Sequence, residues 1–124
     1  MILEFNKFNL ISSIEKSLVK ILPYIKTTGN YLYGSTHKNK SGQPITRIDS
    51  KQPITGLMLK FNEDSLEIKS IVNTTKDRGS ATKILEIILS KLDKGSTIKI
   101  SNDVSDGYWD NIIKKYPEYN WIFS

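Results

Sequence analysis

The chain contains no cysteine. Disulfides, thiol nucleophiles and thiolate metal sites are therefore excluded, while the compartment stays open. Its single histidine, His37, sits in a polar stretch. A histidine metal cluster or a Ser-His-Asp hydrolase needs more than this, so no metal is expected. No apolar run approaches the ~18–20 residues of a membrane span, and Met1 to Phe5 is too short and mixed for a secretion signal. The expectation is an intracellular, cytoplasmic protein with no membrane partner. Internal repeats, low-complexity tracts and a dividing linker are also missing, so residues 1–124 are expected to form a single domain around one core.

What is present is ordinary in bulk. Hydrophobic residues make up 38% and charged residues 25%, as in soluble globular chains. The formal net charge of +5 and pI near 9.3 admit nucleic acid, an acidic partner or a polyanionic cofactor. The positive excess is spread along the chain rather than gathered in a tail, which weakens the nucleic-acid reading. So does the placement of the aromatics, which fall mainly in expected core stripes and not among the lysines.

The organising stretch is Ser65 to Leu92. Ser65 to Asn73 places Leu66, Ile68, Ile71 and Val72 as an internal strand would. Thr74 to Ser80 is polar and carries Lys76, Arg78 and Gly79. Ala81 to Leu92 sets Ile84, Leu85, Ile88, Leu89 and Leu92 on one helical stripe. The start of that helix lacks the usual acid. A capping box would put Glu or Gln three residues after the cap, but Lys83 stands there counting from Ser80, and Leu85 counting from Thr82. Lys76, Arg78 and Lys83 thus add cations to a helix end that is already positive. Two readings stand side by side. Either the elbow holds an anion such as a phosphate, or Asp77 or Ser80 caps the helix and the lysines are solvated.

The run Lys76-Asp77-Arg78-Gly79-Ser80-Ala81 resembles the Q/R-x-x-G-x-G/A pyrophosphate loop of the GNAT family of N-acetyltransferases. Lys76 stands where Arg or Gln is usual, and Ala81 is the less common small residue. Lys83, Ile84 and Leu85 continue the register. The preceding strand matches the one that pairs with the pantetheine arm of coenzyme A in that family. The resemblance covers about Thr55 to Phe123, and the G-Y-W and K-Y-P texture near its end is similar to abbreviated GNAT-like domains of phage and mobile-element proteins. It implies an α/β domain with a mixed sheet (α+β) and a GNAT-like acyl-CoA N-acyltransferase fold. Residues 1–54 would form a shortened acceptor-side half and residues 55–124 the acetyl-CoA-binding half.

Elsewhere, Met1 to Phe5 reads as a short first strand and Asn9 to Lys26 as a helix kinked at Pro23. Thr27 to Asn30 reads as a turn and Tyr31 to Tyr33 as a strand fragment. Gly34 to Gln43 is a polar loop, either a mobile excursion or a lid. Pro44 to Ser50 and Thr55 to Phe61 read as strands, with a hairpin turn at Asn62 to Ser65. Asp93 to Gly95 closes the second helix, and Ser96 to Asn102 reads as a strand. Strand, helix and strand of this length imply a right-handed parallel crossover. Ser105 to Lys115 reads as a helix with Trp109, Ile112, Ile113 and Tyr116 inward. Asn120 to Phe123 reads as a last strand.

The resemblance further implies transfer of an acetyl group from acetyl-CoA to a primary amine by direct attack, on a protein or another macromolecule. Backbone amides from Arg78 to Ala81 would take the pyrophosphate, with Lys76, Asp77 and Thr82 in the same elbow. Ile71, Val72 and Asn73 would line the thioester and supply an N–H to its carbonyl. Asn102 would face the cofactor. Glu67 is the candidate general base, because its strand parity matches that of Ile71. Its other reading is a solvated strand carboxylate. Tyr108 is the candidate proton donor to the thiolate, in preference to Tyr116, and each Tyr reads equally as core packing. Pairing of two copies is a further expectation. Two rivals remain: an inactive binding or interaction protein on this scaffold, and a small nucleic-acid-binding domain that would use Lys38, Lys40, Lys76, Arg78 and Lys83.

Overall fold

The computed structural model describes residues 3–46, 54–73, 79–101 and 108–123. Its elements follow the order α1 (Leu3–Leu18), β1 (Tyr24–Thr28), β2 (Tyr31–Ser35), β3 (Thr55–Phe61), β4 (Ser65–Asn73), α2 (Gly79–Ser90), β5 (Thr97–Ile100), α3 (Tyr108–Lys115) and β6 (Asn120–Phe123). The six strands form one open sheet in sequential order. Strands β1 to β4 run antiparallel, and β4, β5 and β6 run parallel. This is a mixed α+β domain, in line with the expected class.

The N-terminal third departs from expectation. Of the strand expected from Met1 to Phe5, Leu3 to Phe5 are helical, in α1, and Met1 and Ile2 lie outside the described residues. The helix does not reach Lys26. It ends at Leu18, where Ile21 N–H and Leu22 N–H both donate to the Leu18 carbonyl. Pro23 then disfavours helix in the residue before it. The β-branched and aromatic run from Tyr24 to Thr28 pairs instead with β2 across a turn where Gly29 adopts a φ of +57°. The expected strand from Pro44 falls largely outside the described residues. Pro44 itself makes an isolated bridge to Lys38. Within that bridge Asn39 Oδ1 accepts the Ser41 and Gln43 N–H groups, so an internal hydrogen-bonded turn organises this part of the loop.

From β3 onward the elements fall where the sequence periodicity puts them. On α2 the buried residues are Ala81, Ile84, Leu85, Ile88 and Leu89, one stripe at helical spacing. Ile84, Leu85, Ile88 and Leu89 share one core with Leu57, Leu59, Phe61, Leu66, Ile68, Ile98 and Ile100 of the sheet and with Ile11, Ile14 and Leu18 of α1. Cross-strand partners share a face, so the register sorts the sheet. Leu32, Leu59, Ile68, Ile100 and Phe123 form one row on the core face.

All three helices cover that same face. Helix α3 belongs to it because Trp109 lies 6.3 Å from Trp121, whose strand partner is the core residue Ile98. It also lies alongside α2, with Lys115 Nζ 3.3 Å from Glu86 Oε1. Two successive right-handed crossovers from β4 to β5 to β6, stepping in one direction across the sheet, put both helices on one side. Among the described residues no helix covers the opposite face.

Candidate functional site

The site suggested by the sequence lies where β4 ends and α2 begins. Strand β4 has nine residues and β5 only four. Their ladder runs from Ser65↔Thr97 to Ile68↔Ile100, and Ser101 N–H extends it by donating to the Ile68 carbonyl at 3.1 Å. Beyond that point β4 runs on from Lys69 to Asn73, with Ser70 to Asn73 still paired to β3 and, among the described residues, no β5 residue opposite them in the ladder. Five residues of strand span about 17 Å.

That extension is not straight ladder. Met58 pairs with Ser70 and Leu59 with Ile68, so Lys69 is an extra residue, a β-bulge on β4. The bulge has a consequence for the candidate base. Glu67 and Ile71 share sequence parity, yet Glu67 stands opposite Lys60 on the face away from the helices while Ile71 stands opposite Leu57 on the core face. The expectation that both face one cleft is therefore corrected: one inserted residue reverses the alternation.

Glu67 is also engaged through Oε2. Ser101 Oγ donates to its Oε2 at 2.5 Å, and Lys69 Nζ lies 3.3 Å from the same oxygen. The Ser101 hydroxyl, with the Lys69 hydrogen bond and charge acting the same way, holds the carboxyl below its ordinary value against the opposing effect of burial. These are the surroundings of an ion-paired strand carboxylate, neither a free base nor a solvated side chain. Nothing local in the sequence signals Ser101, which lies 34 positions away and arrives through parallel pairing.

Helix α2 opens at Gly79, which is exposed, and carries no acid in its first turn. Ala81 is buried under the helix, while Ser80 and Thr82 are half-buried and Lys83 is exposed. Tyr108, the first residue of α3, lies beside this turn with its hydroxyl 3.5 Å from Thr82 Oγ1. It is half-buried, and desolvation raises its phenol above the ordinary value, so the hydroxyl keeps its proton at neutral pH. Trp109 is core, 4% exposed and edge-on to Tyr108. Tyr116 packs at the rim of the core, and its carbonyl accepts the Trp121 indole N–H.

At the end of β4, Asn73 Oδ1 accepts a hydrogen bond from Thr55 Oγ1 at 3.1 Å, and Ile71 and Val72 are half-buried. Lys76, Asp77, Arg78 and Asn102 lie outside the described residues. Ile71, Asn73, Gly79 to Thr82 and Tyr108 thus lie at one end of the core face, while Val72, opposite Gly56, and Glu67, opposite Lys60, stand on the other face. Among the described residues no group of three or more His, Cys, Asp or Glu side chains could hold a metal ion, and no helix is long and apolar enough to cross a membrane.

Fold and site together define a six-stranded mixed α+β domain with an acid-free helix start beside a bulged strand. Compared with protein-family models, with curated proteins and with solved structures, the chain matches none.

Proposed function

We propose that the protein is an acetyl-CoA-dependent N-acetyltransferase. The observation that carries this reading is the coincidence at one sheet end of three features: the acid-free start of α2, the stretch of β4 that outruns β5 among the described residues, and the Tyr108 hydroxyl at Thr82. Backbone N–H groups of the first turn of a helix suit a diphosphate, and exposed Gly79 admits close approach. The backbone of β4 past Ile68 suits the amide groups of a pantetheine arm. Acetyl-CoA would supply the activated acyl group. Tyr108 would hold a proton for the departing sulfur, which its raised phenol favours. Since Glu67 is ion-paired and depressed in basicity, deprotonation of the amine falls more naturally to water than to this carboxylate.

The same engagement of Glu67 favours a second reading, a coenzyme A binder without turnover. Thermal stabilisation by acetyl-CoA tests both, and release of free thiol in the presence of candidate amines separates them. The variant Gly79→Glu should abolish the stabilisation while leaving the unliganded melting curve cooperative, because position 79 is exposed. Undiminished acetyl-CoA binding by that variant would defeat the assignment.

A further inference from the structure

The face of the sheet opposite the helices has its own chemistry. The register builds a row across all six strands: Thr28, Tyr31, Lys60, Glu67, Lys99 and Ile122. A second row runs Lys26, Tyr33, Met58 and Ser70. The next, Tyr24, Ser35, Gly56 and Val72, is crossed at Gly56 by the backbone of Ile45 and Thr46, and Ser35 is buried there. Tyr31 and Tyr33 are neighbours on this face, with rings 5.9 Å apart and 14° from parallel. Cations flank the aromatics. Lys60 Nζ lies 5.8 Å from the Tyr31 centroid, and Lys38 Nζ lies 5.5 Å from that of Tyr24.

Carboxylates are sparse. Lys26, Lys60, Lys69 and Lys99 share the face with Glu67, which Lys69 already neutralises. The nearby Glu63 and Asp64 sit in the turn between β3 and β4, at one end of the sheet. This arrangement removes the sequence-based objection to nucleic acid. The hairpin of β1 and β2, unforeseen because Tyr24 to Lys26 read as helix, sets three tyrosines on one face among lysines.

We propose that this sheet face, away from its end at Gly56, binds a short single-stranded nucleic acid, with bases stacking on Tyr31 and Tyr33 and phosphates meeting Lys26, Lys60 and Lys99. Flat rings side by side with cations suit a chain of alternating bases and phosphates. An acidic polypeptide would use the cations and leave the rings idle. Six strands span about 24 Å across the sheet, enough for the few bases that sheet-surface modules stack. The inference is independent of acyl transfer, since the acetyl-CoA features lie on the helical side.

The test is fluorescence anisotropy of the full chain with labelled oligouridylate and oligothymidylate of about 12 nucleotides, at salt between about 50 and 200 mM. Duplex of equal length and polyglutamate serve as competitors. Single strands should bind, with affinity falling linearly in log salt. Tyr33→Ala should weaken binding about 5- to 150-fold, one lost stacked base, whereas Tyr33→Phe should retain it and guards against misfolding. Lys60→Gln should lower the salt slope by about 0.7, one lost phosphate contact. Lys91→Glu, an exposed change just past α2, should leave binding within about 2-fold. The proposal is overturned by no binding at the lowest salt, by polyglutamate or duplex competing as well as the single strand, or by Tyr33→Ala and Lys60→Gln binding like the unmodified protein.

Discussion

Replacing Gly56 by Ala tests how the loop after β2 meets the sheet. Gly56 lies in the middle of the sheet, paired to Ser35 on one side and Val72 on the other. A Cβ added there would meet Ile45 O at 2.8 Å, Thr46 Cα at 3.0 Å and Val72 Cγ2 at 3.2 Å. The valine methyl can rotate away, but the two backbone atoms move only if the segment at Ile45 and Thr46 lifts from the strand. Overpacking of this kind costs about 1–3 kcal/mol. Loss of glycine's freedom in the unfolded chain returns about 0.4–1 kcal/mol. The net is a loss of about 1–2 kcal/mol. For a chain of 124 residues the unfolding entropy is about 0.26 kcal/mol/K, so the melting temperature should fall by about 4–8 °C. Circular dichroism melts at a fixed scan rate provide the reading. Gly34→Ala is the control. Its added Cβ would come closest to Leu22 Cδ1 at 3.0 Å, the far end of a flexible side chain. It should shift the melt by less than about 2 °C. A Gly56→Ala protein that melts with the parent, while Gly34→Ala drops, would refute the packing of residues 45–46 on β3.

Leu85 is fully buried between α2 and the sheet, so Leu85→Ala should cost about 2–5 kcal/mol in urea unfolding. Glu67 governs part of the acid limb of stability. Its folded carboxyl titrates lower than the unfolded one, principally through the Ser101 hydroxyl, so its contribution is complete above the unfolded value near 4.3 and is lost as pH falls through the folded value. Glu67→Gln should therefore flatten the decline in stability below about pH 5, and an unchanged pH profile would remove Glu67 from that role. Tyr108→Phe removes only a long contact to Thr82 and should alter stability by less than about 1 kcal/mol. In an acetyl-transfer assay the same variant should lower kcat about 10²- to 10⁴-fold with acetyl-CoA binding retained.

Strong local periodicity made the second half of the chain readable. The stripe from Ala81 to Leu89, the alternation of β3 and the Pro117 stop after α3 each state their element within a few residues. At the N-terminus the local cues conflict. Met1 to Phe5 is a short apolar run that suits strand or helix, and Tyr24 to Thr28 becomes a strand only because Tyr31 to Ser35 is there to pair with it. The site divides in the same way. An acid-free helix start is written in consecutive letters, from Gly79 to Lys83. The separation of Glu67 from Ile71 is not, since it depends on Lys69 being squeezed out of the ladder with β3. Nor is the tyrosine and lysine face, which exists because two right-handed crossovers and α1 all cover the other side. Residue order sets which segments are strands and helices, through contacts a few positions apart. Which side chains share a surface depends on register and handedness, and those are settled only when distant segments meet.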